Sequence, residues 1–315
     1  MNQAAKLVAG AFLVSSSVCF VALDVASQIA VGAGTAGTAG AADTAGTAVA
    51  VGVSVWLAVF ARYAVQALSM AAVLLPTRGK ASFATAHPKF QIARGLLLTA
   101  TSIMGIHGLK YLPLAEFTAI VMLVPLLVSV LAVRFLHEVM RPAQWAWLVL
   151  SFAGALVVVR PSGAVFGWAL LFPLCSLCFF TCFQLLTRKL ALTEDPLVMH
   201  FYTGLVGTAV AALSLPFVWQ ALSWGQFATL VSLGVFGTVG HYLLIQAFRR
   251  APASTLAPFI YMQVPLAVLG GWLVFSRVPD LVTGLGIALI VAGGVASALQ
   301  FASKVVAKDM HGTVV

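Results

Sequence analysis

GLKYLPLAEFTAIVMLVPLLVSVL (108–131) and AFRRAPASTLAPFIYMQVPLAVLGGWLVF (247–275) follow one plan. Each opens on a basic junction, passes a proline, and runs on through mostly apolar residues with a further proline near the middle, Pro125 or Pro265. An uncharged run of about 20 residues is long enough to cross the hydrocarbon core of a bilayer. Slid against itself by 139 residues, the chain repeats: Leu109–Ala115 falls on Phe248–Ser254, Tyr63 on Tyr202, Ala153-Gly154 on Ala292-Gly293, and Pro125 one residue from Pro265. The pattern predicts two halves of five spans each. Five is odd, so the second half would enter the membrane in the opposite sense, as in transporters whose substrate site lies near the midplane between inverted repeats.

Working outward, ten spans are predicted, at about 7–31, 51–75, 91–111, 114–135, 142–160, 164–187, 197–219, 227–248, 252–275 and 280–302. Composition requires them: 62% of the 315 residues are hydrophobic and 8% charged, where soluble domains carry about 25% charge. Mean hydropathy is +1.06. The first apolar run is too long for the core of a cleaved signal peptide, so it is read as a span. GAGTAGTAGAADTAGTAVA (32–50) reads as a flexible external loop.

The basic residues cluster between spans. With the N-terminus inside, cytoplasmic segments hold Lys6; Arg78, Lys80, Lys89 and Arg94; Arg134 and Arg141; Arg188 and Lys189; Arg249 and Arg250; Lys304 and Lys308. External segments hold only Lys110, Arg160 and Arg277, and Arg62 is left within a span. This asymmetry predicts a multi-pass bacterial-type inner-membrane protein with both termini cytoplasmic. It also accounts for the formal charge of +9 without nucleic-acid binding, since no basic stripe forms. Cys175, Cys178 and Cys182 share a face of the sixth span, with Cys19 elsewhere. They read as packing thiols, and no metal or cofactor is expected. No phosphate-binding loop, HExxH or Gly-x-Ser-x-Gly elbow occurs, so neither an ATP-driven pump nor an enzyme is expected.

The junction at 108–131, followed by FLHE (135–138), resembles the drug/metabolite transporter superfamily, specifically its ten-helix EamA-type members. The second half, 247–275 followed by VPDLVTGLGIALIVAGG (278–294), is similar again. Glu138 matches that family's acidic residue in the first half, whereas the second half has Arg277. The resemblance implies two inverted five-helix repeats, 1–160 and 161–303, with 304–315 as a cytoplasmic tail. It further implies transport of small metabolites around a central cavity, and export of amino acids or related compounds is common among such members.

Charged residues within a span are costly and therefore candidates for function. Asp24 and Gln28, and Arg62 and Gln66, are i, i+4 pairs, and Asp24 and Arg62 fall within about two turns of one depth. They can form a zwitterion site, carboxylate on Arg62 and ammonium on Asp24, or a structural ion pair. Glu116 is either a titrating carboxylate or a solvated one. Glu138, beside His137, Arg134 and Arg141, reads as an interfacial salt-bridge group. His107 and His241 are proton-sensing or helix-packing residues. Gln184, Gln246, Tyr261 and Gln263 add polar groups. Pro125, Pro173, Pro258 and Pro265 are expected to interrupt spans four, six and nine, with Pro125 and Pro265 as hinges. Trp168, Trp219, Trp224 and Trp272 at one side, and Trp145 and Trp147 at the other, read as aromatic belts.

The expectation is an alternating-access carrier that exports amino acids or related zwitterions. Its partners are a small-molecule substrate and the lipid bilayer, with proton coupling an option and one chain or a homodimer as the unit. The alternatives are an importer of a cofactor such as riboflavin, a passive channel or scramblase, and a structural membrane subunit.

Overall fold

The computed structural model describes residues 3–31, 53–79, 83–111, 114–161, 167–275 and 278–311; the loop expected at 32–50 and Arg277 lie outside them. Every regular element among the described residues is helical. The helices are α1 (Gln3–Val31), α2 (Val55–Arg78), α3 (Pro88–Tyr111), α4 (Leu114–Val121), α5 (Val124–Phe135), α6 (Pro142–Val159), α7 (Leu171–Leu190), α8 (Pro196–Ala212), α9 (Leu215–Val218), α10 (Trp224–Arg250), α11 (Ala253–Ile260), α12 (Gln263–Phe275) and α13 (Leu281–His311). In a bilayer only closed hydrogen-bonding patterns satisfy the backbone, and helices provide one. Seven segments among the described residues are long and apolar enough to span, and Pro196–Ala212 and Leu281–Ser297 are shorter apolar helices.

The 139-residue offset holds at helix boundaries. α4 begins at 114 and α11 at 253; α5 begins at 124 and α12 at 263; α6 begins at 142 and α13 at 281; α3 ends at 111 and α10 at 250. Spans four and nine are both broken, at 122–123 and 261–262. Pro125 and Pro265 sit just beyond those breaks, in the first turn of the helix that follows, where a missing N–H costs nothing. The breaks touch: the Tyr261 hydroxyl donates to the Met122 carbonyl at 2.9 Å, so residues equivalent by the repeat meet where the two halves join.

Two expected interruptions are corrected. Pro173 does not break span six, because it lies in the first turn of a continuous α7. Pro258 lies inside α11, and the break of span nine follows it by a full turn of chain. Arg94, counted with the cytoplasmic basic residues, is in the second turn of α3 and is 1% exposed.

Packing repeats with the sequence. α1 lies along α10 as α3 lies along α7, and α2–α10 mirrors α3–α8, while α2 packs on α8 and α6 on α13. Glycines set the closest approaches. A Cβ on Gly204 would come within 2.7 Å of the Ala67 amide, and one on Gly154 within 2.7 Å of the Gly286 carbonyl. Small residues of this kind let membrane helices touch backbone to backbone. The symmetry is incomplete: α11 packs on α5 and α6 more extensively than the equivalent α4 packs on α12 and α13 among the described residues. The halves therefore pack more closely at the α5–α11 end, the closed end, than at the other.

Candidate functional site

The closed end carries the basic junctions. Among the described residues two ion pairs and a histidine–carboxylate contact there tie one half to the other. Arg78 at the end of α2 meets Asp195 at 3.0 Å, and His87 before α3 meets Glu194 at 3.0 Å. Arg188 of α7 meets Glu138 beyond α5 at 3.0 Å. Asp195 also caps α8, accepting from the Leu197 amide at 2.8 Å, ahead of Pro196 at the first helical position. Glu138 does more than pair. It accepts from the Ala253 and Ser254 amides at 3.1 and 2.9 Å and from the Ser254 hydroxyl at 2.7 Å, so a first-half carboxylate caps second-half helix α11. It is an interfacial salt-bridge group as expected, but its partners are Arg188 and α11 and not the nearby Arg134 and Arg141. At the other end Arg160 binds Asp280 with both terminal nitrogens, at 2.8 and 2.5 Å. The Arg160 hydrogen bonds, aided by Thr283, hold the Asp280 carboxyl well below the usual range.

Burial alone would raise the Glu194 carboxyl; hydrogen bonds from His87 and Thr85 outweigh it and hold it below its ordinary value. Burial likewise opposes, and Arg78 and the α8 amides overcome, so that Asp195 is also lowered. A lowered carboxyl contributes stability above its unfolded value and loses it as pH falls through the folded value. Thermal midpoints measured as pH falls from about 6 to 3 should therefore drop more steeply in the parent protein than in Glu194→Gln.

Between the ends, polar side chains converge from several helices. Arg62 of α2 donates to Nε2 of His241 on α10 at 2.9 Å and to Ser102 of α3 at 3.3 Å. The Tyr63 hydroxyl lies 3.1 Å from the same Ser102. Gly237 leaves room for the arginine, since a Cβ there would come within 3.2 Å of Arg62 Nε. Phe20 and Phe183 stand edge-on to the His241 ring, at centroid distances of 4.7 and 5.8 Å. Arg62 Nε and His241 Nδ1 have no hydrogen-bond partner among the described residues. Asp24 is in electrostatic range of Arg62 but is not paired with it; it remains exposed and receives a long hydrogen bond, 3.4 Å, from Gln263 of α12. The structural ion pair considered for Asp24 and Arg62 is thus not formed.

The other candidates separate. Gln66 is fully buried, donating to the His200 carbonyl at 2.9 Å with His200 Nδ1 at 3.2 Å. Gln246 donates to Tyr242 and receives Arg250 near the basic end. Tyr261 is spent on the Met122 carbonyl. Gln184 is buried with its side-chain oxygen unpartnered. His107 donates to the Ile103 carbonyl at 2.9 Å, between Trp56 and Phe172. The side chains of Gln28 and Glu116 lie outside the described residues. A shallow apolar groove on α10, lined by Trp224, Phe227 and Val231 among others, contains no charged group and none of the candidate residues.

Arg94 is the group that sequence reasoning missed. Its guanidinium donates to Thr203 at 2.6 Å and to the Met199 carbonyl of α8, reaches Thr187 of α7 at 3.4 Å, and lies 5.5 Å from the Phe183 ring. No carboxylate is within ion-pair distance of Arg62 or Arg94 among the described residues. Among the described residues this interior holds two guanidiniums, with the exposed carboxylate Asp24 at its margin.

Comparison with known proteins agrees with this architecture. A model of the EamA-like transporter family matches twice, over residues 26–160 and 164–298. The chain is 28% identical over 222 residues to an S-adenosylmethionine uptake transporter of Rickettsia bellii, covering 70% of this chain and 76% of that one. It is 31% identical to a riboflavin transporter of Vibrio cholerae, over 62% of this chain and 68% of that one. It is 27% identical to the pseudopaline exporter CntI of Pseudomonas aeruginosa, over 65% and 73%. A solved crystal structure superposes with a TM-score of 0.74 over 97% of this chain and 99% of that one, at 19% identity, which shows a shared fold. The duplicated match, the relatives and the paired helix boundaries identify the chain as a member of the EamA-like transporter family, a small-molecule transporter of the drug/metabolite superfamily in the bacterial inner membrane, and not an enzyme.

Proposed function

We propose that this chain is a secondary carrier for a small amino-acid-like zwitterion, working by alternating access between two inverted five-helix halves with both termini cytoplasmic. The observation that carries the reading is the pair Arg62 and Asp24. They lie in electrostatic range, yet each is held by neutral groups and neither neutralises the other. A substrate carboxylate would take the charge-assisted hydrogen bonds of Arg62, and its cationic group would face Asp24. S-adenosylmethionine, an amino-acid derivative with a carboxylate and cationic centres, fits both and is the leading substrate. Riboflavin carries no ionised group and would leave both charges unmatched. Uptake is the favoured direction, supported by relatives named for it; export, the direction expected from the sequence, is its rival. A passive channel or scramblase would lack saturable exchange.

The test is counterflow in proteoliposomes of known protein orientation, with S-adenosylmethionine, amino acids and riboflavin as probes. A charged hydrogen bond contributes about 1.5–3 kcal/mol, so Arg62→Ala should reduce zwitterion counterflow by roughly 10- to 100-fold, with Arg62→Lys intermediate. Exchange of riboflavin alone, unaffected by Arg62→Ala, would overturn the substrate class.

A further inference from the structure

His241 sits 4% exposed at the centre of the polar cluster, and its hydrogen bond to Arg62 has a consequence fixed by donor and acceptor identity. A guanidinium only donates. Nε2 of His241, 2.9 Å from Arg62 Nη2, must therefore accept, and the ring is neutral with its hydrogen on Nδ1. A doubly protonated imidazole has no lone pair to offer. The Arg62 hydrogen bond and a second proton on His241 are mutually exclusive.

From the elements around it, the titratable or charged groups in electrostatic range of His241 are Arg62 of α2, Arg94 of α3 and His200 of α8, and Cys19 of α1 lies beside the neighbouring Gly240; α7 presents Phe183. None among the described residues is a carboxylate. A second proton on His241 would thus meet two guanidiniums with no compensating charge until an anionic group arrived. A substrate carboxylate bound at Arg62 supplies that charge, draws the guanidinium away, and leaves Nε2 without its donor. A proton then converts Nε2 into a second donor to the same carboxylate.

Resting on the carrier reading above, we propose that His241 is the coupling site: it takes one proton when the substrate carboxylate engages Arg62, so that proton and substrate cross together. On the far side, loss of the proton returns Nε2 to Arg62, and the restored hydrogen bond competes the carboxylate off. Because each ligand favours the state that the other needs, the coupling is reciprocal. With protons flowing inward, such coupling drives uptake.

The experiment uses the full chain in proteoliposomes loaded with a pH-sensitive dye, with labelled S-adenosylmethionine as the probe. Net uptake should acidify the lumen by one proton per substrate and accelerate with external acid. His241→Gln should keep a reduced but measurable counterflow while the proton-to-substrate ratio falls to zero. A variant-independent check is the number of protons taken up on binding, read from the dependence of binding enthalpy on buffer ionisation heat; one proton is expected. Counterflow with no proton movement in the parent protein would overturn the coupling and leave the carrier standing. Proton movement that survives in His241→Gln but is lost in Asp24→Asn would overturn the site. No counterflow of any probe by folded protein would overturn the carrier reading, and the coupling with it.

Discussion

Glu138→Ala should lower the thermal midpoint of the detergent-purified protein more than any other single carboxylate substitution at the basic end. The side chain is 8% exposed and its ion-pair partner Arg188 11%. Removing one member of a buried pair costs about 3–5 kcal/mol, because the other charge is left without compensation. Here the loss is compounded. The Ala253 and Ser254 amides and the Ser254 hydroxyl lose their acceptor, and α11 loses the anion at its positive end. A shift on the order of 10 °C is expected, using about 2–4 °C per kcal/mol for a chain of this size class. Glu138→Gln retains one acceptor oxygen and should recover part of it. Asp280→Asn, at the exposed pair with Arg160, should leave the midpoint within error, as surface pairs contribute little. The same substitution bears on conformation. α5 packs on α11 more extensively than their repeat equivalents α12 and α4 pack on each other, and Glu138 ties α11 to the chain beyond α5 there, beside the Arg78–Asp195 and His87–Glu194 pairs. A Glu138→Ala shift no larger than that of Asp280→Asn would show that the closed end does not depend on this carboxylate.

The repeat was legible because it is written in residues with strong local meaning. A proline after a basic junction fixes where a helix restarts, and the same offset reappears in the paired breaks at 122–123 and 261–262. The prolines themselves were less informative than their surroundings: Pro173 lies in the first turn of α7, where a missing N–H costs nothing, and Pro258 lies inside α11. The site was legible only in part. Arg62, Asp24, His241 and Gln263 stood out as polar groups in apolar spans. Their partners did not, because a helix buried or lipid-facing all round lacks the polar stripe that would reveal its rotation. Gln66 lies one turn from Arg62 yet binds His200, and the Arg62 partner His241 is 179 positions away. Arg94 was hidden by its address. Lying three residues into the predicted third span and next to the basic loop, it counted as topological charge, although it is fully buried in the bundle. A span begun at Pro88 would have exposed it.

Gly154→Ala and Gly284→Ala are the same substitution on facing helices, and they should move stability in opposite directions. Gly154 lies on α6 where it crosses α13. A Cβ there would stand 2.7 Å from the Gly286 carbonyl oxygen and 2.9 Å from the Ile290 amide. Both are backbone atoms of a helix, so relief requires moving the helices apart, not turning a side chain. The repeat-equivalent Gly293 is confined the same way, with the Trp147 carbonyl 2.8 Å from its would-be Cβ. Overpacking of this kind costs about 1–3 kcal/mol, and larger residues at 154 should cost more. Gly284 also lies on α13, but nothing is within 4 Å of its would-be Cβ. Alanine there meets no neighbour and gains up to about 1 kcal/mol of helix propensity. Thermal midpoints should therefore fall for Gly154→Ala and for Gly293→Ala, and hold or rise for Gly284→Ala. The α6–α13 seam joins the two halves away from the Arg62 cluster. Its variants should lose midpoint without altering which substrates exchange, whereas Arg62→Ala should do the reverse. Equal effects of Gly154→Ala and Gly284→Ala would mean that the two helices are not held at backbone contact.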